Sequence, residues 1–327
     1  MAETFTPALT EVTDNIWLIR LPLPWSLKSV NVYLLKRDDG YTLIDAGLKT
    51  DASLKSLEGA LCQLNLEWSV VREIVISHMH PDHVGAAAEI RRRSGARVRM
   101  HATEASLVAP NASINFFVKT EVYLRKNGVS EKHIQRMEKN ARVVVADMER
   151  FVPDLSIEED DIIPYRGGNF DVLVTPGHSP ALLSFYNANA GLLISTDMLL
   201  ERITPHIGIH PFSDGDPLSD YFESLERLSK LTVHQILPSH GDAFQGYSER
   251  IEAMKQHHRK RLDKIHGVVS RDEMHAYDVA GVVWGEDRSM TDRRFALAEA
   301  LSHLVYLWHR HRVERSQIDG ITYWRAR

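Results

Sequence analysis

The sequence of 327 residues predicts an α+β fold with a helical C-terminal domain. Up to about residue 245, short apolar and β-branched runs alternate with amphipathic segments of helical period. Several of these runs are followed directly by His or Asp, and from about residue 251 the sequence consists of charged helical segments. This pattern predicts strands that present polar loops at one edge of a sheet.

The composition is that of an ordinary folded protein, with 43% hydrophobic and 25% charged residues, which excludes a disordered, collagen-like or coiled-coil chain. A net charge of −5 gives no bulk attraction to nucleic acid or anionic membranes. The N-terminus has no secretory signal pattern and no apolar run reaches about 18 residues, so we expect a cytoplasmic protein without a membrane partner. The unusual number is 17 histidines, since histidine is the commonest metal ligand.

The first hundred residues predict a β-meander followed by alternating strands and helices. Asp38-Asp39-Gly40 supplies the turn within this meander, and the lone Cys62 is predicted to be buried packing in the first helix. The predicted strands are 16–19, 30–35, 41–45, 70–76 and 96–101, and the predicted helices are 51–65 and 86–93.

Residues 103–150 have helical propensity and are predicted to be an insertion in a first domain, 1–250. An amphipathic helix is predicted at 218–230, and further strands are predicted at 170–174, 182–186, 192–195 and 234–237. Residues 251–327 carry 14 Lys and Arg against 11 Asp and Glu, and are predicted to form a second domain. Its helix at 293–310 and hairpin at 312–327 follow the order of a winged helix.

The segment Ser77-His78-Met79-His80-Pro81-Asp82-His83 is the most informative part of the sequence. In an extended segment His78, His80 and Asp82 share one side, while His83 is directed elsewhere. Four ligand-type side chains within six positions, directly after a strand, predict a metal site.

This segment resembles the His-x-His-x-Asp-His signature of the metallo-β-lactamase superfamily. Four further segments, spread in order along residues 16–245, are similar to the other motifs of that family. They are Leu43-Ile44-Asp45-Ala46-Gly47, Thr175-Pro176-Gly177-His178-Ser179, Ser195-Thr196-Asp197 and Pro238-Ser239-His240-Gly241.

The resemblance implies an αββα sandwich, in which two sheets pack face to face with helices outside. It also implies two divalent metal ions at one edge of the sandwich. One ion would be held by His78, His80 and His178, and the other by Asp82, His83 and His240, with Asp197 bridging. Asp45 would support the metal loop without binding metal, and the alternative is that it only caps a turn.

Imidazole and carboxylate ligands without thiolate suit zinc, and also iron or manganese. Two such ions share a water and lower its pKa toward about 7, which predicts hydrolysis by a bridging hydroxide. Asp82 is a candidate proton relay to the leaving group, with a purely ligating role as the alternative.

The motifs predict the type of reaction and leave the substrate open among small esters, thioesters, lactones and similarly activated compounds. The tail resembles the winged-helix appendage of a hydroxyacylglutathione hydrolase-like subgroup, where it closes the pocket or contacts a second copy in a homodimer. The candidate substrate contacts, with packing or surface positions as the alternative, are Phe116, Phe117, His206 and His210.

Three alternatives use the same fold: a metal-dependent nuclease or phosphodiesterase, an iron-dependent oxygenase, and a regulatory protein. A nuclease needs a basic groove, and acidic residues are interspersed among arginines such as Arg293 and Arg294. We therefore expect a small-molecule substrate and no nucleic-acid partner.

Overall fold

Two β-sheets pack face to face in the computed structural model, which describes residues 9–113, 116–146, 149–211 and 215–327. The first sheet has the order β1-β2-β3-β4-β5-β6, and only its last two strand pairs are parallel. Its strands are β1 (Leu9–Thr13), β2 (Ile16–Pro22), β3 (Ser29–Lys36), β4 (Tyr41–Ile44), β5 (Val71–Ile76) and β6 (Arg97–Met100). The helices within and after it are α1 (Asp51–Gln63), α2 (Pro81–Val84), α3 (Ala87–Ser94) and α4 (Ala102–Val108).

The second sheet has the order β11-β10-β9-β8-β7, with β10 and β11 parallel and the other pairs antiparallel. Helices α5 (Phe116–Lys126) and α6 (Glu131–Ala146) precede it and lie in the predicted insertion. Its strands are β7 (Ile162–Tyr165), β8 (Gly168–Val174), β9 (Leu183–Asn187), β10 (Leu192–Thr196) and β11 (Gln235–Pro238), and α7 (Pro217–Leu228) lies between the last two.

The apolar core has a layer between the sheets and a layer outside each sheet, which confirms the αββα sandwich. The middle layer joins Tyr33 and Val75 of the first sheet to Phe170 and Phe185 of the second. All five residues of β9 and of β10 are buried, because helices or sheets cover both of their faces.

The strands of the two large sheets follow the sequence closely, apart from two edge strands that the apolar pattern did not show. Strand β7 contains Pro164, which removes one backbone donor and is tolerated at a sheet edge. Strand β1 is the outer strand of the first sheet and pairs with β2. The prediction that Cys62 is buried is wrong, because the helix turns it outward beside the buried Leu61.

The C-terminal region consists of three helices and a three-stranded antiparallel sheet of order β12-β14-β13. The hairpin turns at Asp319 and Gly320, which both have positive φ as a two-residue hairpin turn requires. The elements are α8 (Tyr247–Val269), β12 (Met274–His275), α9 (Ala276–Trp284), α10 (Met290–His309), β13 (Val313–Ile318) and β14 (Ile321–Ala326).

This region shares its apolar core with the second sheet and the insertion. Leu297 and Leu304 of α10 belong to the same buried cluster as Leu225 of α7 and Ile134 of α6. Tyr277 donates its backbone N–H to the carbonyl of Asn127 over 3.1 Å, which adds a polar tie to the insertion. Among the described residues no helix has the length and apolar character needed to cross a membrane.

The shared core makes a stability prediction for Leu304→Ala. Leu304 is 0% exposed, so the truncation removes buried methyl groups and leaves a cavity. We expect the free energy of unfolding to fall by about 2 to 5 kcal/mol in urea titrations of the metal-loaded protein. Val282→Ala on α9 is the control, because Val282 is exposed and its truncation costs less than about 0.5 kcal/mol. Equal losses in both variants would contradict a shared core.

Candidate metal centre

The loop after β5 supplies four of the predicted ligands. His80 is the residue before helix α2, and Pro81 begins that helix with the fixed φ that suits its first position. The helical turn carries Asp82 and His83 back over the end of the strand, where both are buried. The expectation that Asp82 shares a side with His78 and His80 does not hold, because the segment is extended only as far as His80.

The other three predicted ligands come from turns after β8, β10 and β11. Gly177 has φ 138°, and a Cβ there would lie 2.6 Å from Cβ of Tyr221, so only glycine lets the loop carrying His178 approach α7. Thr196 adopts φ 49°, which ends β10 sharply and places Asp197 at the sheet edge. His240 follows β11 directly.

All seven predicted ligands come together at this edge in three overlapping groups, within each of which the ligand atoms lie within 4.8 Å of one another. The groups are His78, His80 and His178; His78, His83 and Asp197; and Asp82, His83 and His240. The clustered imidazoles and carboxylates are a donor set for divalent metal ions.

The contacts within the first group fit a cation better than hydrogen bonds. Nδ1 of His80 lies 2.9 Å from Nε2 of His78 and 2.8 Å from Nε2 of His178. A ring nitrogen offers either one proton or one lone pair, so Nδ1 of His80 cannot satisfy both neighbours well. A metal ion among the three nitrogens would accept all three lone pairs.

Two buried atoms of the centre have no hydrogen-bond partner among the described residues: Nε2 of His83 and Oδ1 of Asp197. Leaving buried polar atoms unpaired is costly, and a metal ion would satisfy both. Asp197 also reaches both sides of the centre, with Oδ2 3.2 Å from Nε2 of His178 and Oδ1 3.6 Å from Nε2 of His240.

The second ring nitrogen of four histidines is held by the protein, which fixes each ring so that Nε2 points into the centre. In every case the partner comes from a strand end or a neighbouring loop. The contacts of Nδ1 are His78 to Oγ of Ser77 (2.9 Å), His83 to Oδ2 of Asp45 (2.8 Å), His178 to the carbonyl of His206 (2.8 Å) and His240 to the carbonyl of Ser29 (2.9 Å).

The electrostatics differ between the two sides of the centre. Burial and the neighbouring imidazoles hold the pKa of His78 well below its usual range and lower the pKa of His80 to about 3. These two rings are therefore neutral at pH 7, which is the form that binds metal.

On the other side carboxylates dominate. Burial lowers the pKa of His83, but Asp197, Asp82 and Asp45 outweigh burial and raise that pKa well above its usual value. Burial raises the pKa of Asp197, yet His83 and His240 more than compensate and hold it well below the usual range. Carboxylates gathered around His83 favour a cation at this position.

Asp45 makes more contacts than a turn cap needs. Its carboxylate accepts the backbone N–H of Ser77 over 2.7 Å and the hydroxyl of Ser77 over 2.8 Å, and contacts Nδ1 of His83 at 2.8 Å. The residue has φ 62°, a left-handed conformation that costs energy for a side chain other than glycine. The contacts support the predicted role of Asp45 in holding the metal loop.

Two supporting residues were not predicted from the sequence. Glu104 on α4 accepts the backbone N–H of Met79 over 3.0 Å and of Ala181 over 2.7 Å, so it joins the two loops that carry His78, His80 and His178. Asn31 on β3 donates to the carbonyls of Pro238 and Gly241 over 2.9 and 2.8 Å, on either side of His240. Neither residue lies in a motif, so no local signal marks it.

The predicted substrate contacts lie partly beside this centre. His206 contacts His178 through its own backbone carbonyl, and its ring lies 5.4 Å from that of His210. Phe117 is partly buried on α5, while the side chain of Phe116 lies outside the described parts of the structure. Contact of these four residues with substrate stays a prediction.

The fold and the centre agree with a match to the model of the metallo-β-lactamase superfamily over residues 25–240. The chain therefore belongs to this superfamily and is a metal-dependent hydrolase. A second model, the metallo-β-lactamase-like C-terminal domain, matches residues 262–327.

Individual relatives cover most of the chain. "Probable metallo-hydrolase YqjP" of Bacillus subtilis is 28% identical over 82% of this chain and 84% of its own length. The human acyl-coenzyme A thioesterase MBLAC2 is 25% identical over 71% of this chain and 80% of its own. A solved metallo-β-lactamase family protein of Thermus thermophilus is 27% identical, has a TM-score of 0.85, and aligns over 97% of this chain and 100% of its own. A β-lactamase domain protein of Burkholderia ambifaria is 25% identical, has a TM-score of 0.88, and aligns over 99% of this chain and 97% of its own.

The two backbone contacts of Glu104 make a prediction for Glu104→Gln. The amide has one oxygen for two N–H donors, so one buried donor loses its acceptor and the metal loops shift. We expect about 10- to 100-fold weaker retention of metal, measured by competition with a chelator, because supporting hydrogen bonds of this kind have that effect. Glu223→Gln on α7 is the matched control, since Glu223 is exposed and lies outside the loops of the centre. Unchanged retention in Glu104→Gln would show that Glu104 does not hold the loops.

Proposed function

We propose that this protein uses two zinc ions to hydrolyse small thioesters or similarly activated acyl compounds. The observation that carries this proposal is that His78 and His83 each belong to two of the three ligand groups and meet Asp197 in the middle group, which supports two adjacent metal positions. The resemblance to a human acyl-coenzyme A thioesterase favours a thioester within this class.

Each residue has a role in this proposal. One ion would be held by His78, His80 and His178 and the other by Asp82, His83 and His240, with Asp197 as a ligand shared by both. When bound, two such ions supply a water of lowered pKa and polarise the scissile carbonyl. Asp45 keeps His83 oriented through its contact of 2.8 Å.

Asp82 has two candidate roles, as a metal ligand and as a proton relay to the leaving group. Its Oδ2 lies 3.4 Å from Nε2 of His240 and 3.7 Å from Nε2 of His83. Burial raises the pKa of Asp82, but His83 and His240 outweigh burial and lower it. An ionised carboxylate of low pKa is a good ligand and a weak base, so the ligating role is favoured over the relay.

The metal and its surroundings are part of the proposal. Nitrogen and oxygen donors also suit iron or manganese, and iron would favour the oxygenase alternative. Five further points stay predictions. They are the winged-helix character of the tail, its division from the first domain near residue 250, a homodimer, a cytoplasmic location and the hydroxyacylglutathione hydrolase-like subgroup.

The nuclease alternative gains no support from the arginines of the C-terminal region. Several of them are paired with carboxylates, which reduces their attraction for phosphates. The pairs are Arg261 with Glu299, Arg310 with Asp216, Arg312 with Asp263 and Arg325 with Glu314. A small-molecule substrate fits this surface better.

A hydrolysis screen of the zinc-loaded protein tests the proposed substrate class. The panel contains acyl thioesters, lactones, aryl esters and a phosphodiester, and iron- and manganese-loaded protein is assayed in parallel. We expect thioesters to have the highest kcat/KM, with zinc giving the fastest turnover. Preferred cleavage of the phosphodiester would replace this proposal with the nuclease.

The ligand groups predict two metal ions per chain. Elemental analysis of reconstituted protein should give about two equivalents, because seven ligands exceed what one four-coordinate ion uses. His240→Ala should lose about one equivalent, while His266→Ala on α8, outside the centre, keeps two. One equivalent in the wild type, unchanged by His240→Ala, would contradict the dinuclear site.

The bridging position of Asp197 predicts a larger effect on turnover than on substrate binding. We expect Asp197→Ala to lower kcat at least as much as His83→Ala, because the bridge positions both ions. Asp263→Ala on α8 is the control, since Asp263 is exposed. Steady-state kinetics measure kcat and KM, and metal analysis measures the number of bound ions. A near-wild-type kcat with two ions bound would show that Asp197 is not the bridge.

A further inference from the structure

Helix α10 of the C-terminal region lies against the loop that supports His178. Ile209 donates its backbone N–H to the carbonyl of Ala298 over 3.0 Å, and the ring of Phe295 lies 5.1 Å from the ring of His206. The carbonyl of His206 in turn accepts from Nδ1 of His178. One loop therefore separates this face of α10 from the metal centre.

Arg294 lies on the same face of α10, one turn before Ala298. The residue is half-buried, and burial lowers the pKa of its guanidinium. Among the residues the structure describes, no carboxylate lies within 4.0 Å of it and no acceptor bonds to it, and its nitrogens are not sealed from solvent. The guanidinium lies over the ring of Phe295 at 5.4 Å, and no carboxylate among the described residues neutralises its charge.

Two nearby arginines, Arg293 and Arg261, have hydrogen-bond acceptors, which Arg294 lacks within the described part of the chain. Arg293 stacks over the ring of Tyr277 at 4.4 Å and donates to the carbonyl of Glu286 over 3.5 Å. Arg261 donates to Glu299 over 3.1 Å. Arg293 is therefore a matched control one residue away.

The loop that carries His206, Ile209 and His210 contacts both α10 and the metal centre. Burial holds the pKa of His210 well below its usual range, and the positive charges that add to this effect belong to His206, His80, Arg294 and His178. The ring of His210 lies 5.4 Å from the ring of His206, and the carbonyl of His206 contacts Nδ1 of His178. Arg294 and His178 therefore lie beside the same loop.

From this placement we propose that Arg294 is an anion-binding subsite, which recognises a carboxylate or phosphate group of the substrate away from the scissile carbonyl. This inference rests on the proposed hydrolase function and specifies its substrate as an anionic acyl compound. A guanidinium binds either anion through two parallel hydrogen bonds. The placement of Arg294 therefore predicts a negatively charged group on the substrate, and the experiment distinguishes a carboxylate from a phosphate.

The test compares three thioesters with Arg294→Gln and Arg293→Gln. Acetyl coenzyme A carries phosphates in its thiol half, S-succinyl-N-acetylcysteamine carries a carboxylate in its acyl half, and S-butyryl-N-acetylcysteamine carries no charge. We expect Arg294→Gln to raise KM about 10- to 100-fold for an anionic substrate and to leave the neutral one unchanged, as for the loss of a hydrogen bond to a charged group. Arg294→Lys should recover part of the loss, and Arg293→Gln should match the wild type.

The outcome for each substrate identifies the anion. An effect confined to acetyl coenzyme A assigns Arg294 to the phosphates, and one confined to the succinyl compound assigns it to an acyl carboxylate. Equal effects of Arg294→Gln on all three substrates, with metal content unchanged, would overturn the subsite.

Failure of the hydrolase proposal is read separately. If the wild type hydrolyses none of the thioesters, calorimetry with free coenzyme A and with succinate measures the subsite directly. Binding to the metal-loaded wild type that is lost in Arg294→Gln supports the subsite, while absent or unchanged binding of both compounds overturns it.

Discussion

The metal centre depends on one buried carboxylate, that of Asp45. A buried carboxylate is costly unless it is fully hydrogen-bonded, and Asp45 has contacts to Ser77 and His83 that meet this requirement. Ser77 precedes the metal loop and His83 ends it, so the same side chain holds the loop at both ends. Asp45 adopts a left-handed backbone conformation, which is unfavourable but directs its side chain toward both Ser77 and His83.

The two sides of the centre differ in charge, and this difference explains why the centre favours cations. His78 and His80, whose pKa values are lowered, are neutral and supply lone pairs, while the carboxylates on the other side concentrate negative charge around His83. In metal-free protein a proton on His83 offsets part of that charge. A metal ion would displace that proton, so metal binding and the stability of this edge of the sandwich are coupled.

The ligands could be predicted from the sequence because each lies in a short segment directly after a strand, where spacing alone places the side chain at the sheet edge. The supporting contacts could not, because they join distant parts of the chain. Asn31 bonds to Gly241 across 210 positions, and Glu104 joins loops that are separate in sequence. Edge strands such as β7 were missed for a different reason, since Pro164 and the exposed Ile162 weaken the apolar pattern.

The sequence predicts the C-terminal region to be an appendage, yet in the structure it contacts a loop that supports the metal centre. Arg261 donates to Glu299, whose Oε2 lies 3.7 Å from Nδ1 of His206, and the carbonyl of His206 holds His178. Burial raises the pKa of Glu299, but His206 and Arg261 outweigh burial and lower it to about 2, so the carboxylate stays charged.

This chain of contacts runs from α8 through α10 to a metal ligand. Its members are more than 25 positions apart in sequence at every step, so only the folded tail can assemble it. The apolar cluster that buries Leu297 and Leu304 fixes α10 on the second sheet, and thereby also fixes Glu299 between those two leucines. The position of α10 therefore determines both how the tail packs and how His178 is oriented. For this reason the tail is a structural part of the metal centre, as the sandwich is.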